Sequence, residues 1–213
     1  MTIFDEITEP INAKGERANY INEKYGPHER NTFDIWLAKS KQPTPLVIYI
    51  HGGGFTGGDK SRYFQSEDVV RFLESGVSVA TINYRFMNEA PYGILASMND
   101  SKRFVQFIRY HSAKYNIDKT RIACTGGSAG AGTALWLAFT DDMADTESED
   151  PVLRESTRLK CAGAFATQAT YDIFQWDEIL GFPLSKIHGQ LNAIARAFGF
   201  KSAENRDLTK ETQ

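Results

Sequence analysis

The chain has 213 residues, 41% hydrophobic and 24% charged, with a formal net charge of −3 from 24 basic and 27 acidic side chains. That is the size and balance of one globular domain; it lacks the basic excess of a nucleic-acid binder and any apolar run long enough for a membrane span. The opening MTIFDEITEPINAKGE has neither the basic nor the apolar region of a signal peptide. Cys124 and Cys161 lie in short apolar runs and read as two buried free thiols in strands, so a cytoplasmic location is the default expectation, and a mature secreted form with its leader removed would read the same.

Residues 1–31 are polar and punctuated by Pro10, Gly15, Gly26 and Pro27, which predicts an N-terminal arm with some helix and a turn, ahead of a domain over 32–213. Thr32 to Ala38 (TFDIWLA) alternates apolar with polar residues and predicts an edge-type strand. Leu46 to Ile50 (LVIYI) has the pattern of a strand covered on both faces. Gly52 to Gly58 holds five glycines around Phe55 and Thr56, a loop that bends sharply or approaches something closely. QSEDVVRFLES (65–75) carries a helical pattern that stops at Gly76, and Val77 to Ile82 reads as the next strand.

Further along, Asn99 to Tyr115 spaces Phe104, Phe107, Ile108 and His111 by three and four, an amphipathic helix. Arg121 to Thr125 reads as a strand, Gly130 to Phe139 as a closely packed helix, and the acid-rich 141–150 as a solvated loop. Cys161 to Phe165 predicts another strand, 173–180 and 186–198 predict helices, and the polar tail Lys201 to Gln213 shows no strand pattern. The alternation of strand and helix argues for an α/β fold with a mainly parallel sheet. The loops after Ile50 and Thr125 then fall at the carboxyl ends of strands, where ligands of such sheets gather.

Gly126-Gly127-Ser128-Ala129-Gly130 is a G-x-S-x-G segment between an apolar strand and an apolar helix. A tight reversal there lifts a serine hydroxyl above the sheet. The helix that follows points its N–H groups and positive dipole end at the same place, where an oxyanion would form. His51-Gly52-Gly53-Gly54-Phe55 can supply a second set of inward-turned amides. Neither the Lys-Ser/Thr pair of a phosphate loop nor a dinucleotide fingerprint accompanies it. His51 reads as an anchor for this loop instead of a general base. The aromatics Phe55, Tyr84, Phe86, Tyr92, Tyr171, Phe174 and Trp176 are candidates for an apolar pocket and equally for ordinary core.

HGGGFTGGDK at 51–60, NYRF at 83–86 and CTGGSAGAG at 124–132 make the chain resemble the hormone-sensitive-lipase-like and feruloyl-esterase-like branches of the α/β-hydrolase family. The resemblance runs over roughly residues 32–180 and implies a three-layer sandwich with a mainly parallel sheet. It also implies serine-dependent hydrolysis of small-molecule carboxylic esters, with no metal and no organic cofactor. By position, Ser128 corresponds to the nucleophile and the N–H groups of Gly53, Gly54 and Ala129 to the oxyanion hole. Asn83-Tyr84-Arg85 corresponds to a structural segment and Asp100 to a scaffold carboxylate.

A serine nucleophile needs a base and a third group to orient it, and the family supplies them in the order Ser, Asp or Glu, His. Of four histidines, His28 and His111 suit core or surface duty, and His188 alone follows Ser128. Asp172, or Asp177, with His188 would preserve the order. Two later strands expected of the family find no match, so the sheet reads as truncated at its C-terminal end. Three readings stay open: a fragment of a longer esterase, a complete chain with an unusual triad, or a non-catalytic binding module. A bare sheet edge would favour pairing with another copy, and a homodimer stays open with it.

Overall fold

A computed structural model of the chain describes residues 9–89, 93–168, 179, 181, 200–202 and 205–208. Six strands share one sheet: β1 (Tyr20–Lys24), β2 (Thr32–Trp36), β3 (Thr44–Ile50), β4 (Ser78–Ile82), β5 (Ile117–Gly127) and β6 (Cys161–Phe165), in the order β1-β2-β4-β3-β5-β6. The last four are mutually parallel, while β1 and β2 run antiparallel to their neighbours. Among the described residues the sheet is covered by the α-helices α1 (Glu67–Glu74), α2 (Ile94–Tyr110) and α3 (Ala129–Phe139).

The side-chain parity of β3 divides the core between two faces. Leu46, Ile48 and Ile50 join Phe104, Val105 and Ile108 of α2 and Ala134 and Leu137 of α3, all buried. Val47 and Tyr49 point the other way, onto Val69 of α1 together with Trp36 and Val79. Helices thus cover both faces of a mainly parallel sheet, the three-layer arrangement of the α/β-hydrolase type. Burying one large side chain of this kind contributes about 1.5–3 kcal/mol.

The helix predicted at 65–75 forms with Ser66 as N-cap, its hydroxyl accepting from the Asp68 N–H, and it stops before Gly76 at φ +76°. The helix predicted over 99–115 lies further toward the N-terminus, because Ile94 and Met98 also reach the core and His111 caps the end. Residues 9–31 carry no helix; they contribute β1, which makes the expected arm part of the sheet.

Thr32–Trp36 is interior and not an edge strand, flanked by β1 and β4. Its alternation misleads because Asp34, the polar residue, is fully buried. Asp34 pairs with the buried ammonium of Lys60 at the end of the glycine loop and accepts from Asn22 N–H at 2.7 Å. Cys124 is buried as expected, but Cys161 is exposed, since among the described residues β6 has a sheet neighbour on one side alone. Phe200–Ser202 (β7) and Asn205–Leu208 (β8) pair antiparallel outside the main sheet, so the tail does hold strand. Main-chain bonds make that pairing, and its polar residues left no apolar pattern to read. Of the helix predicted at 173–180 only Ile179 and its helical state are described; the one at 186–198 lies outside the described residues. Among the described residues no helix is long and apolar enough to cross a membrane.

The buried Lys60–Asp34 pair makes a stability test. Asp34→Ala leaves an uncompensated buried ammonium and is expected to cost about 3–5 kcal/mol in urea unfolding. Joint replacement by Asp34→Leu and Lys60→Met should recover most of that loss; equal losses in single and double variants would show that the pair is not what holds these segments together.

Candidate active site

β3 and β5 lie side by side with Ile50 opposite Gly126, so the glycine loop and the G-x-S-x-G turn leave the same edge of the sheet together. Their backbones touch. A Cβ on Gly126 would lie 2.3 Å from Ile50 O, and one on Gly130 would lie 1.9 Å from it. No side chain fits at either position. Ser128, between them, sits at φ 53° and ψ −119° and caps α3. Such a backbone costs a non-glycine residue on the order of 1–3 kcal/mol and persists only where the surroundings impose it. Here they do: the Ser128 N–H donates to Phe165 O at 2.9 Å and Ser128 O accepts from Gly132 N–H at 3.0 Å.

The glycine loop curls around one carbonyl. Gly53 O accepts from the N–H groups of Thr56 (3.0 Å) and Gly57 (3.2 Å) and from the Thr56 hydroxyl (3.2 Å). A Cβ on Gly52 would come within 2.7 Å of Gly127 O and 3.3 Å of Ser128 Cβ, so the loop packs directly on the serine turn. The N–H groups of Gly53, Gly54 and Ala129 donate to no carbonyl among the described residues. The Ser128 N–H is already engaged. Amides with no carbonyl partner among the described residues, on a loop packed against a serine turn, are groups of the kind that receive an anionic oxygen.

His51 lies at the root of this loop and is fully buried. Its ring stacks on Tyr84 with centroids 4.2 Å apart, and Tyr84 OH donates to His51 O at 2.7 Å. Nδ1 contacts Gly52 O at 2.8 Å. A carbonyl can only accept, so Nδ1 carries the proton and Nε2 bears the lone pair. Burial pushes the His51 pKa down to about 4, against the opposing pull of the Gly52 carbonyl. A neutral ring engaged in this way suits the anchoring role expected of it. His28 and His111 also act locally: His28 Nδ1 accepts from Arg30 N–H at 3.2 Å, and His111 packs on Phe107 at 4.4 Å.

The NYRF segment is a brace. Asn83 Oδ1 accepts from Lys60 N–H at 2.8 Å while its Nδ2 donates to Asp59 Oδ2 at 2.7 Å. Arg85 grips Asp100 through a bidentate pair with Nη2 to Oδ1 at 2.6 Å, which ties the segment to α2. Of the aromatics proposed for a pocket, Phe55 and Tyr84 are 3% and 1% exposed and pack with Phe86 under the loop. Phe174, Asp172 and His188 lie outside the described residues, as do Tyr92, Tyr171, Trp176 and Asp177.

One neighbour escaped the sequence reading. Gln168, just past β6, places Nε2 3.5 Å from Ser128 Oγ. A neutral amide can donate there but cannot take up the serine proton. The only sequence signal was its place after a parallel strand, at the carboxyl edge of the sheet.

A family model described as BD-FAE matches residues 33–213. The chain belongs to the BD-FAE family. This BD-FAE chain is 30% identical over 157 residues to Esterase LipQ of Mycobacterium tuberculosis, covering 70% of its own length and 35% of the relative. It is 26% identical over 166 residues to Gut esterase 1 of Caenorhabditis elegans, covering 75% and 29%. The crystal structure of an acetyl ester-xyloside bifunctional hydrolase from Caldicellulosiruptor lactoaceticus matches with a TM-score of 0.58 and 28% identity, over 70% of this chain and 53% of that one. The chain thus spans about a third of the length of these two relatives and about half of that solved structure. The likenesses identify an α/β-hydrolase carboxylesterase family.

His51 makes the fold sensitive to acid. Its folded pKa, about 4, lies below the ordinary value of 6.5. The unfolded chain therefore binds the proton more readily between those values. The contribution to stability is complete above pH 6.5 and is lost as the pH falls toward 4. His51→Asn keeps a donor near the Nδ1 position without a titrating ring. Urea melts from pH 7.5 down to 4.5 are expected to show about 2–3 kcal/mol less acid destabilisation in this variant than in the parent; parallel pH profiles would contradict the assignment.

Proposed function

We propose that this BD-FAE chain hydrolyses small-molecule carboxylic esters through an acyl-enzyme on Ser128. The observation that carries the reading is the positive-φ serine between β5 and α3, packed against a glycine loop with unengaged amides. Ser128 Oγ attacks the ester carbonyl, and the Oγ proton passes to a base as the new C–O bond forms. The oxyanion is received by the N–H groups of Gly53, Gly54 and Ala129. Collapse expels the alcohol, which takes the proton back. Water then repeats the sequence in reverse and releases the acid.

His51 does not suit the role of base, because its ring is buried, stacked on Tyr84 and held neutral by burial. His188, oriented by Asp172, keeps the family order and is the proposed base. Phe55, Tyr84 and Phe86 support the loop from beneath, and Phe174 is the proposed pocket ring. No metal or organic cofactor enters this reaction.

Turnover of p-nitrophenyl butyrate decides the proposal. Hydrolysis at about 1 s⁻¹ or faster, abolished by Ser128→Ala and reduced by about 10³-fold or more in His188→Ala, is the expected result. An incubation with a fluorophosphonate should add one adduct mass, at Ser128. If the parent and Ser128→Ala forms turn over alike, the chain by itself is no esterase.

A further inference from the structure

We infer that Arg30 is a positioning residue, holding the glycine loop in register with the Ser128 turn. Its effect on rate rests on the ester-hydrolysis reading; its effect on the loop does not.

Arg30 closes the turn before β2. Asn31 N–H donates to His28 O at 3.0 Å and Thr32 N–H to Arg30 O at 2.7 Å, so the backbone at 30 is fixed by the sheet that follows. From there the guanidinium makes three contacts. Nε donates to Tyr84 O at 2.9 Å, Nη2 donates to Gly58 O at 3.0 Å, and the guanidinium carbon lies 3.8 Å from the centre of the Phe86 ring. It therefore joins the end of the glycine loop to the NYRF brace, two segments that also meet through Asn83, Asp59 and Lys60, through the Met87 N–H bond to Phe55 O and through the rings of Phe55 and Tyr84.

Both of its hydrogen bonds lead to the same place. Gly58 backs onto the root of the loop so closely that a Cβ there would lie 2.4 Å from Gly52 O and 2.6 Å from His51 Nδ1. Tyr84 reaches the same residues through its hydroxyl on His51 O and its ring on the His51 ring. Gly52 in turn abuts Gly127 and Ser128. A shift of Gly58 or Tyr84 is thus passed to Gly52, and with it to the amides of Gly53 and Gly54. Misplacing such groups by about 1 Å is enough to cost on the order of 10²-fold in rate.

The chemistry selects arginine. A planar fork can donate in two directions while its face lies on a ring; an ammonium supplies the charge without the fork or the flat face. Lysine at this position should fail to substitute, which separates geometry from charge.

The test compares the parent with Arg30→Lys and Arg30→Ala by hydrogen exchange over residues 51–60, thermal unfolding, and p-nitrophenyl butyrate kinetics. Both variants are expected to exchange the loop amides faster by about tenfold or more, while amides of β3 and β5 keep their protection. The kcat should fall by about 10–100-fold with KM within about threefold. Millimolar methylguanidinium should restore part of the rate in Arg30→Ala but not in Arg30→Lys. Unchanged loop exchange, or an equal loosening of loop and sheet, would overturn the inference. If Arg30→Ala does not fold, exchange in Arg30→Lys decides it. A parent without Ser128-dependent turnover would remove the hydrolysis reading and leave the exchange comparison to settle the role of Arg30.

Discussion

Everything at the carboxyl edge of this sheet depends on how closely two backbones meet there. Ile50 O, at the end of β3, faces Gly126 and Gly130, and any carbon added at Gly130 would overlap it at 1.9 Å. The contact works in both directions. It forces the chain after β5 into a reversal tight enough to hold Ser128 at φ 53°, and it leaves the residues after Ile50 directly above that reversal. Two segments far apart in sequence are brought together by one excluded volume. The phenolic oxygen of Tyr63 donates to the same Ile50 carbonyl at 3.2 Å, so its polarity is not left unmet.

Around that contact the protein uses buried polar groups where a purely apolar core would have been simpler. Asp34 and Lys60 are paired in the interior, Asn83 bridges Asp59 and the Lys60 amide, and Asp100 is held by Arg85. These groups converge on the glycine loop and its brace. A loop of glycines has little side-chain packing to define it, and its entropy of ordering is high. Directional bonds to fixed partners supply the definition that packing cannot. His51 belongs to the same design, because a neutral ring can lie flat on Tyr84 in the interior where an imidazolium would be strongly disfavoured.

The far side of the sheet has a different character. β6 offers four exposed positions of five, and Phe165 at its end is 79% exposed even though its carbonyl holds the Ser128 amide. The described strand that completes the serine turn is thus the least covered strand of the main sheet. Gln168 follows directly after it, with its side-chain amide 3.5 Å from the serine hydroxyl.

Local pattern in the sequence was enough for the core strands, for α1 and α3, for the serine turn and for the membership of the α/β class. In each, side-chain period or glycine placement is imposed by near neighbours in the chain. It misjudged β2, because Asp34 reads as solvated unless Lys60 is known to lie beside it. It placed Cys161 inside, because an apolar strand looks alike whether or not a second layer covers it. It had no means of finding Gln168 or Arg30, whose roles come from partners 40 and 28 or more residues away. The sequence by itself determined the core strands, α1 and α3, the α/β class and the tight turn at Ser128. Only the tertiary structure decided which polar groups meet in the interior and what holds the glycine loop, since those contacts depend on strand order and on distances that no local pattern encodes.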